Sequence, residues 1–77
     1  MSYTQEYLDD REKFRLLVNN KLKQINIFAV DAIECLLKDD NDKSAFMIWL
    51  SFKGKYNIEL SEEENNIVQR WYYWFGR

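Results

Sequence analysis

Chemistry in this chain could come from thirteen carboxylates, one thiol at Cys35 and a C-terminal run of rings and guanidinium groups, Arg70-Trp71-Tyr72-Tyr73-Trp74-Phe75-Gly76-Arg77. Carboxylates act as general acids or bases where burial or a neighbour moves their titration. Nothing places the close pairs, Asp31 with Glu34 and Glu59 with Glu62 to Glu64, in an apolar pocket that would shift their titration. There is no His, so the commonest proton carrier and metal ligand is missing, and no Ser-His-Asp or Cys-His arrangement can be assembled within one chain. Cys35 alone makes neither an intrachain disulfide nor a thiolate zinc site. Beside Ile33, Leu36 and Leu37 it reads as a small, half-buried apolar residue. Asp39-Asp40-Asn41-Asp42 resembles the start of a calcium loop. Counted from Asp40, however, Ala45 and Ser51 stand where the loop requires Gly and a bidentate Glu, so the segment reads as a solvated connection that caps the next helix. The expectation is a non-enzymatic chain with no catalytic residue, metal or cofactor.

The C-terminal run points to binding. Trp, Tyr and Arg dominate interface hot spots because they bury large area at small entropic cost. A short chain also needs bulky rings to close its core, and Trp71, Trp74 and Phe75 are assigned to that task. Tyr72, Tyr73 and Arg70 are then the candidate partner-binding residues. Leu16 and Leu8 fall off the apolar stripe of their helix and extend the candidate surface.

Charge narrows the partner. Eleven basic and thirteen acidic residues give a net charge of −2, whereas phosphate-backbone binding calls for a basic excess. Residues 1–25 carry five basic against four acidic groups, residues 26–43 two against five, and residues 44–77 four against four. A membrane-surface role fits poorly too, since the C-terminal helix carries Arg70 and Arg77 as its cations behind three Glu at its start. The polar N-terminal dozen residues lack the apolar core of a signal peptide, and the longest apolar run, Ala45 to Leu50, is far short of a membrane span. A cytoplasmic location is expected, in keeping with a single Cys. Seven Asn, seven Lys and six Ile suit an AT-rich bacterial or phage genome.

The elements that must position these residues are helices. The 77 residues contain no Pro and two Gly, Gly54 and Gly76, so few breakers interrupt the chain, and the length fits one small domain, residues 1–77. A first helix spans 4–24, with Tyr7, Phe14, Val18, Leu22 and Ile25 on one stripe at about 100° per residue. Asn26 caps a second, ending near Lys38, whose buried face is Ala29, Val30, Ile33, Leu36 and Leu37. Residues 43–60 admit two readings. Alternation of Phe46, Ile48, Leu50 and Phe52, then Tyr56, Ile58 and Leu60, fits a hairpin around Lys53-Gly54-Lys55 and an α+β domain. A helix over 43–56 explains more: Asn57 tolerates the left-handed conformation that ends a helix, and Ile58 can fold back on Phe52. Ser61 with Glu64 forms a capping box for a last helix over 62–75, which Gly76 can end. The expected fold is all-α, a compact bundle or orthogonal array of about four helices. The expected function is a protein–protein interaction module, a regulator or inhibitor encoded by a phage or plasmid that binds a host protein. A nucleic-acid-associated dimeric regulator and a structural homo-oligomer are the competing readings.

Overall fold

In the computed structural model, which describes residues 4–75, side-chain caps start three of the four helices. Asn41 precedes the third helix without a side-chain cap bond, contrary to the expected capping role of residues 39–42. Thr4 accepts the Tyr7 backbone N–H at 3.1 Å and starts α1, Gln5–Leu22. The backbone N–H groups of Ile25 and Asn26 both return to the Leu22 carbonyl, at 3.0 and 2.8 Å, so the helix closes two residues earlier than the apolar stripe suggests. Ile25 thereby leaves the helical phase and is 49% exposed, which corrects its expected place in the core. Asn26 caps α2, Ile27–Lys38, accepting from Ala29 N–H at 3.2 Å while its amide donates to the Tyr56 hydroxyl.

α2 ends in a Schellman motif. Asp40 adopts the left-handed conformation at φ 56°, and the N–H groups of Asp40 and Asn41 reach back to Leu37 and Leu36. α3 spans Asp42–Tyr56 and ends the same way, with Asn57 left-handed at φ 55° and ψ 47° and Ile58 N–H bonded to the Lys53 carbonyl at 3.0 Å. Residues 45–60 are therefore not a hairpin. Each strand-like alternation is part of a helix that buries Ala45, Phe46 and Trp49 and leaves Met47 exposed, or of the turn after it. Ser61 and Glu64 exchange the two bonds of the capping box, at 2.8 and 3.2 Å, and α4 follows as Glu62–Phe75. Gly76 lies outside the described residues.

The fold is all-α, four helices in which α1 packs against α2 and α4 while α2 packs against α3. Phe14, Phe46, Trp49 and Trp71 are fully buried at its centre. Phe14 lies 4.9 Å from Trp71 and 6.0 Å from Phe46 between ring centroids, within the range of favourable aromatic pairs. The Cα radius of gyration is 11.7 Å, against about 11.5 Å for a compact domain of this length. The accessible surface, 5362 Å², is close to the ~5,000 Å² of a monomer of this mass. One copy therefore closes its own core.

Candidate interaction surface

The polar side chains with the most partners are committed inside the domain. Asp10 is 4% exposed, yet lies on the apolar side of α1, and both its oxygens accept from Arg70 Nε, at 2.8 and 2.9 Å. One of them also accepts from Trp74 Nε1 at 3.1 Å, while the Asp10 carbonyl takes Trp71 Nε1 at 3.2 Å. Arg70 reaches on to Glu6. Asp10 thus fastens α4 to α1, and its carboxylate, followed by that of Glu6, holds the Arg70 guanidinium above its ordinary pKa. Asp42, at the first turn of α3, is 3% exposed. It accepts from the Tyr7 hydroxyl and, at 3.2 Å, pairs with Arg11 Nε, so it is a tie between α1 and α3 and not part of a solvated linker. Neither carboxylate projects into open space. No group of three or more acidic or thiol side chains among the described residues is arranged to hold a metal.

Glu64 completes the α1–α4 seam. Its carboxylate accepts the Ser61 backbone N–H and meets Lys21 Nζ at 3.0 Å. The Ser61 N–H, then Lys21, hold its pKa below the ordinary carboxylate value of 4.5. A depressed folded-state pKa stabilises above the unfolded value and loses that contribution as pH falls through the folded one. Thermal melts should therefore place Glu64→Gln below the wild type at pH 7, by no more than about 0.5 kcal/mol for so solvated a pair. The two melting curves should converge as pH falls below the usual carboxylate range.

The partner-binding candidates occupy different sides of the bundle. Arg70 is half exposed, with its guanidinium engaged by Asp10 and Glu6. Tyr72 packs its ring edge-on to Phe46 at 5.2 Å, between α4 and α3. Tyr73 is 66% exposed and touches Trp74. Leu8 lines a groove of about 490 Å³ between α1 and α2, with Arg11, Arg15 and Glu34. Leu16 lines a separate, shallower groove between α1 and α4, with Lys13 and Ile67. The five residues do not share one groove.

Sequence reasoning passed over the most exposed large apolar side chain, Phe28, at 81%. Ile25 and Ile27 beside it are also exposed, as are Ala32 and Cys35 further along α2. The helical wheel carries the signal. Phe28 and Cys35 point about 145° and 165° away from the middle of the arc of Ala29, Val30, Ile33 and Leu37. Cys35 is accordingly exposed, not half-buried. α2 is apolar on both sides but buries only one, unlike a helix apolar all round, which is normally enclosed.

Comparison with known protein families, curated proteins and solved structures finds no match. No described helix is long and apolar enough to cross a membrane.

Proposed function

We propose that this chain is a small cytoplasmic protein–protein interaction module, a non-enzymatic regulator or inhibitor that acts by occupying a surface of a host protein. One observation carries the reading: the second apolar face of α2, headed by Phe28, stays in water although the domain has already closed its core. Contiguous exposed apolar surface on a small monomer is characteristic of interaction sites. A large aromatic side chain at the head of such a face is the usual anchor of an interface. Tyr72, Tyr73, Leu16 and Leu8 supply further contact surface on other sides.

The experiment is paired capture from bacterial lysate with the wild type and Phe28→Glu. Phe28 is almost fully solvated and sits in the first turn of α2, where the helix dipole favours negative charge. The variant should therefore melt within about 0.5 kcal/mol of the wild type. A stoichiometric partner held by the wild type should be lost from it. Equal retention by both chains would remove the α2 face from the function.

Ion pairing weighs against the nucleic-acid reading. Arg11, Arg15, Lys21 and Arg70 each have a carboxylate partner, and the remaining lysines belong to a chain whose net charge is −2, so no basic excess is left to attract a phosphate backbone. Absence of a gel shift at low salt is the expected result.

A further inference from the structure

If the outer face of α2 is an interaction surface, as proposed above, its residues also indicate what covers it. Phe28, Ala32 and Cys35 stand at i, i+4 and i+7, within about 60° of one another on the wheel, and all three are exposed. Along the helix they run from large to small. We propose that this face binds a second copy of the same chain, the two α2 helices packing antiparallel about a two-fold axis near Asp31 and Ala32.

Steric fit favours that occupant. In the antiparallel register the Phe28 ring of each copy lies over Cys35 of the other, so large meets small twice, and sulfur beside an aromatic edge is a favourable contact. The small Ala32 sits at the crossing and lets the helices approach. A parallel register would set ring against ring at one end and leave a gap at the other. Two-fold pairing with self-complementary ends is the commonest way in which identical chains associate.

Charge points the same way. The chain enters α2 through exposed Lys23 and leaves it through exposed Asp39. Antiparallel pairing brings Lys23 of each copy towards Asp39 of the other and runs each positive helix N-terminus beside the other's negative C-terminus. Asp31 opposes the contact. It flanks the stripe near its middle and meets its own counterpart across the axis. A helix of 12 residues is about 18 Å long, so the interface belongs to the weak class below ~1,200 Å². The dimer is therefore reversible and concentration-dependent, and the second copy leaves the face when a host protein takes it.

Sedimentation equilibrium of the full chain from about 10 µM to about 1 mM, the range of weak association, tests this. The apparent mass should rise from 9.5 kDa towards twice that value. Phe28→Glu should weaken association at least tenfold with an unchanged melting curve. Asp31→Ala should strengthen it several-fold. Lys23→Glu and Asp39→Lys should each weaken it, and the double variant should recover most of the loss. A constant 9.5 kDa mass at every concentration overturns the second copy as occupant. If Phe28→Glu still loses a lysate partner in that case, the reading of the face itself stands; if it does not, both fall. Association that Asp31→Ala weakens, or that the charge exchange fails to restore, overturns the antiparallel register.

Discussion

Trp71→Ala is expected to remove a large share of the domain's stability. Trp71 is fully buried, and its ring meets Tyr7, Phe14, Phe46 and Phe75 at centroid distances of 4.8 to 6.1 Å. Its Nε1 also donates to the Asp10 carbonyl. Truncating a buried Trp to Ala costs about 3–5 kcal/mol. A domain of this length has about 4–12 kcal/mol in total. Urea denaturation followed by circular dichroism should show the midpoint fall sharply, and a loss below about 1 kcal/mol would contradict this placement of Trp71 in the core. The conservative change refines the test. Trp49 is equally buried, but its Nε1 finds no acceptor among the described residues. An unsatisfied buried donor already costs about 1–3 kcal/mol in the wild type. Trp49→Phe should therefore cost less than Trp71→Phe.

The second large effect is expected at Asp10, with a sign opposite to a simple hydrophobic argument. Asp10 sits on the apolar side of α1, so Asp10→Leu adds helix propensity and apolar burial at a core-facing position. It also removes the acceptor of Arg70 Nε and Trp74 Nε1. Breaking one side of a buried pair costs up to about 3–5 kcal/mol. Arg70 is half exposed and recovers hydration, so a net loss of about 2 kcal/mol is the expected result. At about 4–8 °C per kcal/mol, the melting temperature should fall by roughly 8–16 °C. Adding Arg70→Met should recover part of the loss, because replacing both members of a buried pair leaves no stranded charge. A stabilised Asp10→Leu would show that the α1–α4 seam does not depend on this carboxylate.

What was legible in the sequence was what acts over three to five residues. Thr4, Asn26 and the Ser61–Glu64 pair each bond within their own first turn. Asn57 and Ile58 likewise close α3 locally, which settles residues 45–60 as helix and turn. The interior ties escaped because their partners are far away. Asp10 and Arg70 are 60 residues apart, and Tyr7 and Asp42 are 35 apart. A trace of the first was present, since an Asp between Tyr7 and Phe14 on an apolar stripe demands a partner. The sequence held no comparable signal for Asp42, which reads as one more acid in an acidic connection. Tyr73 could be placed in water from the wheel alone, and so could Phe28. The C-terminal rings give α4 the look of an interaction surface. The plainer sign was on α2, a helix with more apolar side chains than its buried face can use. Arg70 looked available because nothing local to it could show that Asp10 and Glu6 hold it.

The outer face of α2 carries its own reporter. Cys35 is exposed towards the C-terminal end of that face and is the chain's single thiol. The rate at which it reacts with a maleimide therefore reads whether the face is open or covered. In the dilute isolated domain the thiol should react as freely as in a peptide. In the complex that the wild type retains from bacterial lysate, the rate should fall at least tenfold, and Phe28→Glu should restore it. Labelling of Cys35 at the same rate in the complex and in the isolated domain would mean that the partner sits elsewhere, and that the second apolar face of α2 is not the binding surface.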